Sequence, residues 1–443
     1  MLSPTFVSFL ALATGCAPYS DLAVELEDSH LSYTLEAAPG RTRLRGYDGY
    51  NDPTLMIDDP ERQWAQLPRS GGLPSQPWSG SYWPKYKGGI AYRWQTGESH
   101  TYELLSADEA QNASEAQLRR LSPAEKYDLF VGNTDYPLTL HVQSATSPTE
   151  ATWTGYCHGW TIASSHYEEP KPVTMISPSG QKIRFGSSDV KALLTFFKGE
   201  VVRSTWAEHE WSPERKGIGT VCGSGNPRSE SCTDTNAGAF HIVIANRLGL
   251  QQQDVFMDVE PTYEKWNQPI FGYRTRVLDE RQTPDRGPSA VREIVVATEV
   301  DYAMEIEPTW DAVGGTRESS AKTVTYIYTL QLDTSGQITG GEWVLPLQDG
   351  TYISLQEAWI QLTTMDENGD GRPDRSEDEA KAIIWEHFKF PDYLWIQDGG
   401  EFSDTFRQAL SGYEFLSMGR SSRQKFYDYF APLAEIYEAS IGR

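Results

Sequence analysis

Cys157 is the residue around which this sequence offers the most definite chemistry. It lies in WTGYCHGW, residues 153–160, where we predict the start of a helix. The first turn of a helix carries unpaired backbone N–H groups, whose partial positive charge favours the thiolate, the nucleophilic form of cysteine. The alternatives for Cys157 are a buried apolar filler and one half of a disulfide.

The other three cysteines are explained without a catalytic role. FVSFLALATGC, residues 6–16, is an apolar run too short to span a bilayer and predicts an export signal. Its ending, LATGC, is similar to a bacterial lipobox, in which Cys16 would carry lipid; an ordinary cleaved signal is the alternative. Cys222 and Cys232 bracket a loop of Gly, Ser, Asn and Pro, and we predict a disulfide between them. Cys157 then remains a free thiol in an exported protein.

A cysteine nucleophile needs a general base and a group that orients the base. Among eight histidines, His241 has the most suitable context, because AFHIVIAN and DVFMDVE alternate in polarity around a turn-like centre and predict a hairpin. If that hairpin is centred between residues 249 and 250, His241 lies across from Asp258, with Cβ atoms roughly 4.5 to 5.5 Å apart. The predicted triad is Cys157, His241 and Asp258, with Asn267 as the reserve for the orienting role.

Composition and charge limit the classes of function. The chain of 443 residues has 38 basic and 62 acidic side chains and a net charge of −24. Nucleic acids and anionic membranes bind clustered Lys and Arg, so neither is expected as the main partner. Fourteen tryptophans and 23 tyrosines favour a globular protein over a disordered one. We expect a monomer that contacts a membrane only through a lipid anchor on Cys16.

The order of the predicted elements indicates an α+β fold. A helix at 157–167, a hairpin in TMISPSGQKIRF and a helix in SSDVKALLTFFKG precede five strands, from FHIVIAN to ITGGEWVLPL, and further helices close the chain. We predict a signal peptide at 1–16, a polar leader or propeptide at 17–75, a catalytic core at 76–350, an acidic insertion at 351–390 and a helical segment at 391–443.

The acidic insertion contains a complete calcium-loop pattern. DENGDGRPDRSE, residues 366–377, matches the twelve-residue EF-hand loop at every specified position. Ser354 and Glu357 form a capping box that predicts a helix before the loop, and SEDEAKAIIWEHF predicts one after it. A solvated acidic loop is the alternative. One Ca²⁺ would be bound by oxygen ligands from six residues: Asp366, Asn368, Asp370, the carbonyl of Arg372, Asp374 and Glu377.

Several separated motifs also resemble one family. PWSGSYWPKYKGGIAYRW, WTGYCHGW, FHIVIANRLG, FMDVEPTYEKWNQPIFGY and GGEWV are similar to the transglutaminase elicitor family of secreted enzymes, over residues from about 68 to 400. The resemblance implies a papain-like or transglutaminase-like core, with a nucleophile helix packed on an antiparallel sheet. It also implies Cys157 as nucleophile, His241 as base and Asp258 as third member. The glutamine of the papain signature is absent, which leaves Trp153 as the candidate second oxyanion donor.

The predicted function is protein-glutamine γ-glutamyl transfer through a thioester on Cys157. The partners would be proteins with accessible glutamines and a primary amine donor. Two alternatives remain: a peptidase or deamidase that uses the same triad with water, and a calcium-dependent surface binding module without activity. The expected location is the cell envelope, as a bacterial-type lipoprotein, or otherwise the medium.

Overall fold

The computed structural model describes residues 49–201, 215–219, 235–261, 264–282, 291–314, 320–347, 349–366, 369–397 and 429–443. These residues form two compact units. Val344–His387 is one unit, and the described residues of Arg43–Trp343 together with those of Phe388–Arg443 are the other. Cys16, Cys222 and Cys232 lie outside the described residues, so the lipid anchor and the disulfide stay predictions. No helix in the described ranges has the length and apolar character that a membrane crossing requires.

Helices and strands both contribute to the architecture. The helices are α1 (Ala107–Asn112), α2 (Glu115–Arg120), α3 (Pro123–Phe130), α4 (Pro137–Ser144), α5 (Cys157–His166), α6 (Ser187–Phe196), α7 (Ala237–Ile244), α8 (Leu355–Thr364), α9 (Glu377–His387) and α10 (Leu433–Ser440). The strands are β1 (Ser70–Gly72), β2 (Val173–Ile176), β3 (Lys182–Phe185), β4 (Arg215–Gly219), β5 (Val255–Asp258), β6 (Asn267–Gln282), β7 (Arg292–Ala303), β8 (Ala321–Leu332), β9 (Ile338–Pro346), β10 (Tyr352–Ser354) and β11 (Tyr393–Gln397).

One antiparallel sheet organises the larger unit. Its strands follow the order β9-β8-β7-β6-β5-β11-β4, and β1 pairs separately with β6. The end of β5 and the start of β6 are in register, so that Asp258 lies across from Asn267. The predicted α+β class with an antiparallel sheet is confirmed. Part of the predicted polar leader belongs to this core, because β1 joins the sheet and Trp64 is buried.

Helix α5, which begins at Cys157, is held between the sheet and its neighbouring helix. Ile162 packs against Phe256 of β5 and Trp395 of β11. On the side that meets α6, a Cβ atom at Gly159 would lie 2.1 Å from the carbonyl oxygen of Thr195. Only glycine permits this approach without moving the backbone. The two contacts fix the direction in which the start of α5 points.

Most of the predicted local elements are confirmed. Helix α3 begins at Pro123 with a capping box between Ser122 and Glu125. The predicted hairpin is the pair β2 and β3. In the smaller unit, the end of β9 pairs with β10, and α8 follows with the predicted capping box of Ser354 and Glu357. Helix α9 follows the acidic loop.

The predicted strand at FHIVIAN is wrong, because these residues form helix α7. Asn236 caps the helix by accepting hydrogen bonds from the backbone N–H groups of Gly238 and Ala239. All eight residues of α7 are buried, so its apolar residues extend around the helix and their alternation in sequence does not indicate a strand. A Cβ atom at Gly238 would lie 2.4 Å from the backbone of Gly340 in β9, so tertiary packing holds this segment as a helix.

Candidate active site

The sulfur of Cys157 is buried at the start of α5, with 6% of the residue exposed. The thiol donates to the carbonyl oxygen of Lys265 at 3.6 Å, and the side-chain N–H of Asn267 donates to the sulfur at 3.7 Å. Burial raises the pKa of the Cys157 thiol to about 11, although the Asn267 hydrogen bond acts in the opposite direction. The resting group is therefore a protonated thiol that needs a base.

Asn267 is held in one orientation by two aromatic residues of β11. Its side-chain oxygen accepts hydrogen bonds from the Tyr393 hydroxyl at 2.7 Å and from the indole N–H of Trp395 at 2.8 Å. Because both donors are on the oxygen side, the amide nitrogen must face the Cys157 sulfur. The reserve residue of the sequence prediction is thus the one in contact with the thiol.

Asp258 is the cross-strand partner of Asn267 and is completely buried. One carboxyl oxygen accepts the backbone N–H of Trp266 at 3.2 Å, and the other has no hydrogen-bond partner. Burial raises the pKa of Asp258 to about 8, against the effect of backbone hydrogen bonds from Trp266 and Glu260. The charge of Asp258 also raises the pKa of the Cys157 thiol, so the two groups interact. A carboxyl group with this pKa is a stronger base than an exposed one.

His241 does not contact this site. Its Nδ1 atom is 2.7 Å from the Tyr328 hydroxyl, and its ring packs on Trp64 with centroids 5.3 Å apart. Burial, together with the charge of Arg69, lowers the pKa of His241 to about 3. In the described part of the chain no hydrogen bond joins His241 to Cys157, Asp258 or Asn267. The predicted register between His241 and Asp258 is wrong, because the hairpin on which it depended is replaced by α7.

The register of the sheet places His241 and Asn267 on opposite faces. Phe240 of α7 packs on Tyr326 of β8, and Tyr326 lies across from Thr298. Thr298 shares its face with Tyr302, which lies across from Ile270. Asn267 precedes Ile270 by three residues and therefore points to the other face, on which α5 packs.

Two side chains close to Cys157 in sequence, Trp153 and His158, do not contact the thiol through a hydrogen bond in the described residues. Trp153 lies half-buried before α5, and no hydrogen bond in the described residues joins its indole to the thiol. His158 points away from Cys157, since its Nε2 atom is 3.3 Å from the carbonyl oxygen of Gly199. At the start of α5, the backbone N–H groups of Gly159 and Trp160 both donate to the carbonyl oxygen of Tyr156, at 2.9 and 3.0 Å. The identity of the oxyanion donors stays a prediction.

The acidic loop has an ordered turn but no assembled metal cluster within the residues that the structure describes. The Asp366 carboxylate accepts the backbone N–H groups of Gly369, Asp370 and Gly371 at 2.8 to 3.1 Å. No three carboxylate, histidine or cysteine side chains converge in the described ranges. Asn368 lies outside the described residues. Calcium binding at this loop stays a prediction.

Cys157 is expected to react slowly with iodoacetamide in the folded protein. Only the thiolate reacts, and a pKa raised to about 11 reduces its fraction near neutral pH about 100-fold relative to an ordinary cysteine. Mass spectrometry of the Cys157 peptide, alkylated before and after unfolding, measures the difference. Equal rates in the two states would show that the thiol is exposed and its pKa unshifted.

Comparison with known proteins now identifies the family. The sequence model of the transglutaminase elicitor family matches residues 56–117 and 143–351, well over half of the chain. The chain belongs to the transglutaminase elicitor family. The matched ranges include Cys157, Asp258 and Asn267 and end before the acidic loop. The resemblance inferred from the sequence motifs is confirmed.

Two further comparisons complete this result. No curated protein sequence matches the chain significantly. Among solved structures, the crystal structure of the GP42 transglutaminase from Phytophthora sojae matches at a TM-score of 0.49 and 19% identity. That match covers 78% of this chain and 88% of the other chain.

Proposed function

We propose that this protein is an exported acyltransferase in which Cys157 attacks the side-chain carboxamide of a protein-bound glutamine. The observation that carries the proposal is the Asn267 amide, which two aromatic donors hold in the orientation that directs an N–H group to the sulfur. Such a donor stabilises negative charge as the thiol loses its proton. Membership of the transglutaminase elicitor family supports the choice of reaction.

In this proposal the proton of the thiol goes to Asp258 and not to His241. The unpartnered oxygen of Asp258 is the acceptor, and its raised pKa suits it to the task. The sulfur attacks the glutamine carbonyl, ammonia leaves with the transferred proton, and a thioester remains. A primary amine then attacks the thioester, which forms an isopeptide bond and returns a proton to the sulfur.

The products of a glutamine peptide, with and without an added primary amine, test the reaction class. We expect a cross-linked product in the presence of amine, identified by mass spectrometry. If the same products form with and without the amine, and the peptide gains only the mass change of deamidation, the enzyme is a hydrolase. If the peptide is unchanged in both, the proposal fails and a binding protein without activity is the better explanation.

Export and lipid attachment at Cys16 are part of the proposal and depend on the sequence alone. FVSFLALATGC supports cleavage before Cys16 and acylation of the new N-terminus. The mass of the mature N-terminal peptide decides between the two kinds of signal. If the mature N-terminal peptide begins after Cys16 and carries no lipid, the signal is an ordinary cleaved one and the protein is secreted without an anchor.

The proposed calcium site is expected to stabilise the folded protein and to leave its chemistry unchanged. Ca²⁺ is a hard cation that binds oxygen ligands, and no step of the proposed acyl transfer requires it. Binding to the folded state alone contributes about 2.7 kcal/mol at a hundredfold excess of calcium over Kd. Glu377→Gln removes the two-oxygen ligand, so its melting temperature in calcium should fall to that of the wild type in chelator.

Asp378→Asn is the matched control for this calcium experiment. Asp378 is the next residue, is also acidic and exposed, and lies outside the ligand pattern. Thermal melts of both variants and the wild type, in calcium and in chelator, make the comparison. A wild-type melting temperature that is the same in calcium and in chelator would contradict the site.

A further inference from the structure

The turn that precedes β5 presents three consecutive glutamines, Gln251 to Gln253, and all three are exposed. Arg247 holds this turn from the inside, because its side chain is almost completely buried. Its guanidinium donates to the side-chain oxygen of Gln253 at 2.7 Å and to the carbonyl oxygen of Asp254 at 2.9 Å. The backbone of the turn is therefore fixed, while its outer side chains extend into solvent.

The three glutamine side chains differ in their contacts. The side-chain oxygen of Gln253 is engaged by Arg247. Gln251 and Gln252, in contrast, form no side-chain hydrogen bond with any residue that the structure describes. A glutamine amide has two N–H donors and an acceptor oxygen. These two amides are therefore accessible to another molecule.

Gln252 has an unusual backbone conformation. It ends the π-helical segment Ala245–Gln251 with φ 52° and ψ 40°, in the left-handed region, and its backbone N–H donates to the carbonyl oxygen of Arg247. Helices commonly end in this conformation, but the residue is usually Gly and sometimes Asn. A side chain with a Cβ atom makes the left-handed region unfavourable. A strained glutamine on an exposed turn thus indicates a role for its side chain.

The turn is too far from Cys157 to react with the nucleophile of its own molecule. Helix α5 separates Cys157 from His166 by about 14 Å. The His166 ring is 2.9 Å from the carboxylate of Asp254, which follows the glutamines. Strand β5 then ends at Asp258, whose charge affects the Cys157 thiol, so the turn lies at the other end of this strand. A reaction between these glutamines and Cys157 therefore joins two molecules.

We propose that Gln251 and Gln252 are acyl-donor sites, and that one molecule of this protein modifies them in another. This inference rests on the proposed acyl transfer and assigns a substrate to the same nucleophile. Cys157 is almost completely buried, so a donor glutamine has to project away from its backbone to reach the sulfur. Side chains at the tip of a turn project in this way.

The chemistry is that of the proposed reaction, with the glutamine supplied by a second copy of the chain. The sulfur of one molecule attacks the side-chain carbonyl carbon of the glutamine in the other, the C–N bond breaks, and ammonia leaves with the thiol proton. A primary amine then attacks the thioester, the C–S bond breaks, and one amine proton returns to the sulfur. If the amine is a lysine of either chain, the two molecules become covalently linked.

Transfer between molecules is tested with two preparations of the full chain. Isotope-labelled Cys157→Ala is the substrate, the unlabelled wild type is the enzyme, and a biotinylated five-carbon primary amine is the probe. We expect peptide mapping by mass spectrometry to find the biotinylated amide on Gln251 or Gln252 of the heavy chain. Wild type alone should acquire the same label, at a rate per molecule that rises with protein concentration. This second measurement does not depend on the folding of the variant.

Gln253 and Gln111 are the matched controls. Gln253 is held by Arg247, and Gln111 is exposed on α1 without a side-chain hydrogen bond in the described ranges. Both should be labelled less than the turn. Gln251→Asn combined with Gln252→Asn keeps two amides but shortens each side chain by one methylene group. Labelling of the turn should then fall at least about tenfold, since a misplacement of about 1 Å can cost about 100-fold.

The double variant should itself label a glutamine peptide within about twofold of the wild type, because surface substitutions have small effects. If the wild type labels this peptide but neither Gln251 nor Gln252, the inference is wrong and the proposed function stands. Equal labelling of Gln111 and the turn would also overturn the inference, since any exposed glutamine would then serve. If the wild type labels neither the peptide nor the heavy chain, the proposed function fails and the inference falls with it.

Discussion

Cys157→Ala is expected to abolish ammonia release from glutamine peptides, with a loss of more than about 10,000-fold, since no other group can form the thioester. The fold should persist, because only one buried sulfur and its two weak hydrogen bonds are removed. Such a deletion costs about 1 kcal/mol. Ammonia release and thermal melting, measured on the same preparation, separate the two effects.

Ser164→Ala is the matched control for this variant. Ser164 is also buried in α5, and among the described residues its hydroxyl donates to the carbonyl oxygen of Thr161 in the same helix. It should lose a similar amount of stability and keep its activity. A Cys157→Ala protein that remains active would contradict the nucleophile assignment.

Asp258→Asn is expected to reduce kcat/KM by about 100- to 10,000-fold, the range for loss of a general base. In the wild type kcat/KM should increase with pH through about 8, because the active form of Asp258 is the ionised carboxylate. That increase should disappear in the variant. The measurement is the pH profile of ammonia release for both proteins.

The same substitution should have the opposite effect on stability. The folded-state pKa of Asp258 is about 8, above the ordinary carboxyl value. The stability associated with its protonated form is therefore complete below the unfolded pKa and lost as pH rises through about 8. Asparagine cannot ionise, so the variant should melt at a higher temperature than the wild type at pH 9. Lower activity with lower stability at that pH would indicate a structural role.

His241→Phe distinguishes this account from a histidine base. His241 lies on the other face of the sheet, so activity per folded molecule should change less than about tenfold, even if the lost Tyr328 hydrogen bond lowers stability. A loss comparable to that of Asp258→Asn would restore His241 as the base. The rate of each protein is divided by the amount of thioester that it forms, so that unfolded molecules are not counted.

The nucleophile helix could be predicted because its determinants are local. WTGYCHGW places the cysteine after a glycine-containing turn and before helix-compatible residues, and the helix begins at Cys157. Asn267 could be predicted as a site residue for a similar reason, because it begins β6, which follows β5 in sequence and pairs with it. The register of β5 and β6 is a short-range pairing, and short-range pairings leave a pattern in the sequence.

The sequence predicts His241 on a strand, whereas the structure has it on a helix, because a completely buried segment shows no reliable periodicity of apolar and polar residues. Helix α7 is apolar on all sides, and its β-branched residues imitate a strand. What decides its conformation is contact with β8 and β9, about 100 residues further along the chain, which no local pattern reports. The predicted register between His241 and Asp258 depended on a strand at FHIVIAN, and these residues form helix α7 instead.

The residues that complete the site come from distant parts of the chain. Tyr393 and Trp395 hold the Asn267 amide, yet they lie on β11, which is inserted between β5 and β4 in the sheet. Both aromatic residues lie in PDYLW, residues 391–395, and no local pattern in the sequence connects this segment with Asn267.

The most direct test of the central claim is to trap the thioester. The full chain is mixed with a glutamine peptide in the absence of amine, quenched in acid, and analysed by intact mass and peptide mapping. We expect an adduct equal to the peptide minus ammonia, located on Cys157, absent from Cys157→Ala and released by hydroxylamine. Ammonia released without any adduct on Cys157, or equally by Cys157→Ala, would contradict the account.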